Sequence, residues 1–192
     1  MKRTIVTLVW LVLGLSISAA AQPSSGAVKA AMAKFPGVSA AHMMMLLEAK
    51  KVTPLPLPTW IPEGFSVEDV KLRLGSEVEI QDKVLTVVYS KKLADGGIQR
   101  FALEAGFDGL GDLMYEPTKI IRSGVGEIIL IYEPKDEEGM VQNEYVMTEW
   151  FRVGKTDFHY IGMYGFDEEG DKSARMISMD DTVKILTSLK RL

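Results

Sequence analysis

Two histidines are the first residues whose type could do chemistry. His42 and His159 are the only imidazoles in the chain, and they fall in a predicted helix and a predicted strand that are far apart in sequence. A helical zinc site needs two histidines on one helical face, as in H-E-x-x-H. Neither histidine has such a neighbour. Each is therefore interpreted as a partly buried or surface side chain, not as a metal ligand.

Two acidic loops could hold a cation. Residues 136–139 read Asp-Glu-Glu-Gly, and the same four letters begin residues 167–171. Carboxylates beside a glycine turn are calcium ligands in many proteins, but an EF-hand loop needs acidic residues at alternate positions before its glycine. Both runs are contiguous instead. They are interpreted as solvated hairpin tips.

Signatures of covalent catalysis and of nucleotide binding are weak. There is no cysteine to act as a thiol nucleophile, and no serine lies in the G-x-S-x-G pattern of a hydrolase elbow. Gly124-Val125-Gly126 lacks the third glycine of a dinucleotide fingerprint. We therefore predict no enzymatic activity and no cofactor. An unfamiliar carboxylate pair stays open as an alternative, with no residue to name for it.

The first 21 residues have the order of a secretory signal peptide. Lys2 and Arg3 precede an apolar run over residues 5–17, and Ala19 and Ala21 supply the small residues of a cleavage site. The alternative is an uncleaved anchor, for which the run is short against the ~20 apolar residues that span a bilayer. Without a cysteine the chain is not a lipoprotein. We expect a periplasmic or secreted protein, cleaved near Ala21.

Length and charge limit the classes of partner. Cleavage would leave roughly 171 residues, which suits one domain with its own core. The full chain has a formal net charge of -4, and loss of the two basic residues of the signal makes it about -6. A nucleic-acid partner would require a basic surface instead. No nucleic acid is therefore expected as a partner.

The remaining pattern predicts an α+β fold. Helices are expected over residues 27–35 and, capped by Ser39, over residues 39–50. An antiparallel sheet of about six strands follows, and a C-terminal helix that begins at Ser178 closes it by packing on one face. The predicted strand regions are 67–74, 84–89, 98–105, a short one at 119–122, a central one buried on both faces at 127–132, and a hairpin of 145–153 with 158–166.

This pattern divides the chain into three parts. Residues 1–21 form the signal, residues 22–58 a helical lead with a proline-rich linker, and residues 59–192 the antiparallel α+β module. The lead contains the triplet Met43 to Met45, which covers more of the helix than one buried stripe needs. Its methionines either fill the core or form a soft surface for an apolar ligand. Met43, Met44 and Leu47 are the candidate binding residues of this helix.

The proline-rich stretch 54–65, PLPLPTWIPEGF, is expected to lead the chain into the sheet. Its first three prolines favour an extended backbone, and Pro62 with Gly64 favours a turn. Trp60 and Phe65 are then predicted to be buried anchors on either side of that turn. Alternatively, the segment is itself a binding site, so both aromatic residues are also candidate binding residues.

Three stretches of this region together carry a family resemblance. They are Trp60 to Phe65, Val87 to Ser90, and Asp95 to Glu104. They resemble the C-terminal module of the RseB/MucB-type periplasmic regulators of the sigma-E envelope-stress response, and also uncharacterised exported modules that begin with a W-x-P-x-G-F-like motif. The resemblance covers residues 59–190. It implies a noncatalytic domain that docks on a membrane-embedded anti-sigma factor or a similar envelope protein.

One departure limits what the resemblance implies. Those regulators carry a large lipoprotein-carrier-like half-barrel ahead of the module, where this chain has only a short helical segment. Lipid sensing by a half-barrel is therefore not carried over, and no partner-contacting residue is transferred. A periplasmic carrier or sensor of a lipid or other apolar ligand remains the alternative function, and a hollow apolar space beneath the methionine-rich helix would favour it.

Overall fold

The computed structural model describes residues 23–107, 119–132, 146–165 and 173–192. Three α-helices and ten β-strands lie in these ranges, and a single 3-10 turn, Ile80–Asp82, precedes the third strand. The elements are α1 (Ser25–Lys34), α2 (Ala40–Ala49), β1 (Pro56–Pro58), β2 (Ser66–Arg73), β3 (Val84–Lys92), β4 (Ile98–Gly106), β5 (Lys119–Ser123), β6 (Gly126–Tyr132), β7 (Val146–Thr148), β8 (Phe151–Val153), β9 (Thr156–Gly162), α3 (Met179–Thr187) and β10 (Leu189–Arg191).

Serine caps begin all three helices of the described chain. Ser24, Ser39 and Ser178 each accept a hydrogen bond from the backbone amide three residues on, at 3.1 to 3.2 Å. Each bond satisfies one of the amides that have no partner in the first turn of a helix. The predicted starts of α2 and α3 are confirmed.

The large sheet is antiparallel and has eight strands. Its order is β2-β3-β4-β9-β7-β6-β5, and β8 pairs with β9 beside that path. The α+β class is therefore confirmed, with more strands than the six expected. In the register of the central strands, Tyr89 faces Phe101 across β3 and β4, and Leu103 faces Tyr160 across β4 and β9.

One face of this sheet carries the hydrophobic core. Phe101 lies at its centre, with ring centroids 4.6 Å from Tyr89 and 5.4 Å from Tyr160. Burial raises the pKa of both tyrosine hydroxyls above their usual range. Side chains of α1, α2, α3 and β1 belong to the same continuous core, namely Val28, Met43, Leu46, Leu57, Ile185 and Leu186. The three helices therefore share one core with the sheet.

The proline-rich stretch forms a strand of its own. β1 pairs antiparallel with β10, so the segment before the sheet is joined to the C-terminal end of the chain. Leu55 and Leu57 are fully buried between these elements and the sheet. The sequence suggested a stiff connection into the sheet, whereas the segment makes a second, two-stranded sheet. Prolines are tolerated there because an edge strand leaves half of its amides without a ladder partner.

Three strand predictions need correction. The apolar run at 127–132 was expected at the sheet centre, but β6 lies next to the edge strand β5. The strand expected over 145–153 is divided at Glu149 and Trp150 into β7 and β8. The break is local because the Thr148 hydroxyl accepts from the Tyr160 amide at 2.9 Å, replacing a backbone ladder bond. Strand β9 also ends earlier than expected, at Gly162.

No helix in the described ranges has both the length and the apolar composition needed to cross a bilayer. The signal-like residues 1–21 and the acidic runs 136–139 and 167–171 lie outside the described residues.

Candidate functional site: a polar groove on the second face

The sheet face opposite the core is mixed in chemistry, and we call it the second face. Along one row, Lys71 faces Thr86, Thr86 faces Glu104, and Glu104 faces His159. Along the next row, Asp69, Val88 and Ala102 are paired in the same way. This alternation follows from the two-residue period of a strand, which sends the neighbouring apolar residues into the core.

A groove of about 250 Å³ lies at the β2 side of this face. We call it the Tyr164 groove, after the side chain that reaches across its top from the turn that follows β9. Val88, which is almost fully buried, contributes an apolar side chain to the lining of the groove. The groove is lined by Glu68, Asp69, Lys71, Val88, Arg100, Tyr164 and Gly165.

The turn that carries Tyr164 has an unusual backbone. Met163 has φ 56° and Gly165 has φ 73°, so Tyr164 is flanked by two residues in the left-handed region. This conformation costs a residue with a β-carbon roughly 1–2 kcal/mol. The Met163 amide donates to the Arg100 carbonyl at 2.8 Å, which fixes the turn against β4. The backbone thereby directs Tyr164 back over the sheet.

Two polar contacts define the walls of the groove. Arg100 donates to both carboxylate oxygens of Glu68 at 2.8 and 2.9 Å, and this bidentate contact holds the pKa of Glu68 below its usual range. Lys71 donates to the Tyr164 hydroxyl at 3.3 Å and lies 5.3 Å from the ring centroid. That hydrogen bond raises the pKa of Lys71. The groove therefore offers charges of both signs at its surface.

A second polar cluster continues the row away from the groove. The His159 ring stacks on Trp150 with centroids 3.9 Å apart, and its Nε2 lies 3.4 Å from Glu104. Among the described residues, no three histidine or acidic side chains are placed to share a metal ion. The sequence predicts that each histidine is partly buried or at the surface, and His42 and His159 are both half-buried. His159 lies beside a carboxylate and an indole.

The candidate residues of α2 are split between core and surface. Met43 is fully buried and belongs to the hydrophobic core. Leu47 is half-buried and packs against that core, whereas Met44 is 44% exposed. Met43 and Leu46 occupy the inner side of the helix, where the alternative of an apolar carrier would need hollow space. None of these side chains lines the Tyr164 groove.

The two aromatic candidates of the proline-rich stretch have opposite environments. Phe65 is buried against Phe101, as expected. The prediction that Trp60 is a buried anchor is wrong, because its side chain is 37% exposed. Its backbone is held to the end of α3 by Ser188, which accepts from the Trp60 amide at 3.2 Å. The indole lies outside, with the Lys184 ammonium 5.4 Å from its ring.

The groove residues were missed in the sequence for a physical reason. Charges at alternate positions of a strand also occur on any solvated sheet face, so Lys71 and Arg100 gave no distinct signal. Tyr164 was placed inside a longer predicted strand. Only the left-handed turn at Met163 ends that strand and turns the tyrosine toward β2.

Comparison with known proteins adds no relative. No protein-family model, no curated protein and no solved structure matches the chain. The likeness to sigma-E regulators thus rests on the sequence stretches alone.

Proposed function

We propose that the chain is an exported, noncatalytic binding module that docks on an envelope protein, such as a membrane-embedded anti-sigma factor. The observation that carries this proposal is the size and chemistry of the Tyr164 groove. Its volume of about 250 Å³ is below the roughly 300–1,000 Å³ of pockets that enclose a small ligand. It suits one or two side chains of a docked protein.

The polarity of the groove supports the same choice. Its walls are formed by the Glu68–Arg100 pair and by Lys71 on Tyr164, so a bound acyl chain would leave charged groups without water. Polar and charged groups of a protein surface would replace that water by hydrogen bonds. Charges arranged in this way give specificity and faster association more than affinity.

The alternative is a carrier of a lipid or another apolar ligand. The exposed Met44 and Met45 of α2 are the surface that would serve it. Against it, Met43 and Leu46 on the inner side of the same helix have no exposed surface and pack in the core. A ligand beneath α2 would have to displace them, which makes docking of a protein the better supported function.

Photocrosslinking in living cells tests the proposal. A photoreactive amino acid replaces Ser90, which lies on the second face opposite Ser66, or Met44 on α2, or the exposed Gln81 as a control. We expect a discrete protein adduct from position 90 that is absent from position 81. Arg100→Glu, which breaks the wall of the groove, should abolish that adduct.

Two other outcomes would contradict the proposal. A lipid adduct from position 44 without a protein adduct from position 90 would favour the carrier. The absence of any protein adduct from both positions would rule out docking through either surface. Far-ultraviolet circular dichroism of each variant verifies that the fold is intact.

A further inference from the structure

Within the part of the chain that the structure describes, the outer edge of β2 is unpaired over most of its length. β2 is the terminal strand of the sheet order and pairs with β3 on one side only. At its beginning, the Val67 amide donates to the Gly37 carbonyl at 2.8 Å, so the corner between α1 and α2 occupies that end. From residue 68 to residue 73, no described residue outside β3 forms a backbone hydrogen bond with β2. Such an edge is a template for a further strand.

The charges on this edge define which strand would fit. Asp69 and Lys71 are exposed, lie on the second face and flank the buried Val70. An antiparallel strand centred opposite Val70 needs a base opposite Asp69 and an acid opposite Lys71, because unlike charges in direct cross-strand pairs are stabilising. Since that strand runs in the reverse direction, its sequence must read acid, any residue, base.

β2 itself has this sequence. Asp69-Val70-Lys71 reads acid, apolar, base, so two copies of β2 related by a two-fold axis at Val70 place each Asp69 opposite the Lys71 of the other copy. We propose that the β2 edge is an isologous interface at which a second copy of this chain adds to the sheet. The two sheets then become one continuous antiparallel sheet.

The charged edge does not argue against this pairing. Charged side chains and bulges usually prevent edges from joining, and β2 has both, including a register shift between Val67 and Asp69. Charges block a register only where like charges meet. In the register centred on Val70, the charges at positions 69 and 71 alternate and attract, whereas a shift of two residues loses this match.

The interface is small, so the dimer is weak. A few paired residues on each copy bury far less than the roughly 1,200 Å² of a stable complex. The expected behaviour is a monomer in dilute solution and a growing dimer fraction as concentration rises. This inference does not rest on the proposed docking on an envelope protein, although Asp69 and Lys71 also line the groove that the docking would use.

Charge reversal tests the register directly. In Asp69→Lys, both cross-strand pairs of the dimer become Lys with Lys, and in Lys71→Asp both become Asp with Asp. Each variant should dimerise about tenfold less tightly than the wild type. The double variant Asp69→Lys/Lys71→Asp exchanges the charges and should dimerise as the wild type does. Sedimentation equilibrium of the exported protein from about 10 µM to about 1 mM gives the dissociation constants.

The most discriminating experiment uses an equal mixture of the two single variants. Asp69→Lys supplies two bases and Lys71→Asp two acids, so only the mixed dimer has unlike charges at both pairs. We expect the mixture to dimerise much more than either single variant alone and to approach the wild type, since only the mixed pairing can form. The melting temperatures of the two single variants, whose substitutions are at exposed positions, verify that each is folded. The double variant tests the same register without mixing two proteins.

Several outcomes would overturn the inference. A wild type that is monomeric over the whole concentration range excludes a second copy as the occupant of this edge. A dimer that tolerates both single reversals forms through another surface. Recovery by neither the mixture nor the double variant excludes the two-fold register at Val70, and leaves the edge to an acid-x-base segment of a different protein. Because Asp69 and Lys71 also line the Tyr164 groove, the Ser90 crosslinks are measured on the wild-type chain, and the docking proposal is judged from them separately.

Discussion

Phe65 packs against Phe101, with ring centroids 5.6 Å apart, while Trp60, five residues earlier, lies largely outside the core. The two aromatic residues of one short motif therefore have different roles. Phe65 joins the turn after the proline-rich strand to the aromatic centre of the sheet. Trp60 covers the end of α3 from the outside.

This difference predicts unequal costs of truncation. Phe65→Ala should lower the free energy of unfolding by about 3–5 kcal/mol, because it leaves a cavity beside Phe101. Trp60→Ala removes a partly exposed ring and should cost about 1 kcal/mol or less. Chemical denaturation followed by circular dichroism measures both. Equal losses in the two variants would show that Trp60 is a core residue after all.

The Glu68–Arg100 pair predicts an acid-dependent loss of stability. Arg100 lowers the pKa of Glu68 in the folded state, so the pair stabilises the fold above the unfolded pKa of a glutamate and loses this effect as pH falls through the lower folded value. Glu68→Gln should cost less than about 1 kcal/mol near neutral pH, since the pair is partly exposed. The difference from the wild type should narrow as the pH falls below the usual pKa of a glutamate, about 4.3.

Denaturant titrations at about pH 6 and about pH 3 provide the measurement. Glu63→Gln is the matched control, because Glu63 is exposed and has no ion pair among the described residues. A stability gap between the wild type and Glu68→Gln that persists unchanged in acid would contradict the assignment.

Alanine substitutions at two glycine turns should distinguish the cost of backbone strain from the cost of steric crowding. Gly96 and Gly154 both have positive φ, at 84° and 71°. A β-carbon at Gly96 meets nothing within 4 Å, whereas one at Gly154 would lie 2.7 Å from Cγ of Pro54. Gly96→Ala should cost about 1–2 kcal/mol from backbone strain alone. Gly154→Ala should cost about 1–3 kcal/mol more, through overpacking.

Thermal and chemical unfolding of the two alanine variants compare these costs. Pro54→Ala in the Gly154→Ala background should restore part of the loss, because it removes the crowded Cγ atom. Equal stability of the two single variants would mean that the turn at Gly154 moves away from Pro54 freely.

The first residues predict export with cleavage. Intact-mass measurement of the protein recovered from the envelope fraction should give a chain that begins at or near Gln22, as the small residues Ala19 and Ala21 require. Asp or Arg at Ala21 should block processing, while the same change at Gln22 should affect it less. A recovered chain that still begins at Met1 would contradict the prediction.

Much of the fold could be predicted because local signals and burial agree. Ser39 and Ser178 begin helices as their side chains favour, and the turn at Asp95 to Gly97 joins the strands expected on either side. In the strands at 84–92 and 98–106, apolar residues occur at alternate positions, and these residues form the core face. These features are encoded within a few residues of where they act.

The remaining features depend on distant partners. The exposure of Trp60 is set by Ser188, and the break after Thr148 is set by the amide of Tyr160. The groove needs β2, β4 and the left-handed turn at Met163 in one place. No periodicity records such contacts, so the chain gave no sequence signal for the Tyr164 groove or for the unpaired edge of β2.

In the export that the first residues predict, the pairing of β1 with β10 would also set an order for folding. A translocated chain emerges with its N-terminus first, so β1 is outside the membrane well before the residues that pair with it. Ser188, whose hydroxyl donates to the Trp60 carbonyl just after β1, follows Trp60 by 128 positions. The entropy of closing so long a loop grows only slowly with its length, so the wait for synthesis, more than the closure itself, delays this step. Leu55 and Leu57 would remain without their final cover until the last strand arrives, so a partly folded chain would expose these apolar side chains in that interval.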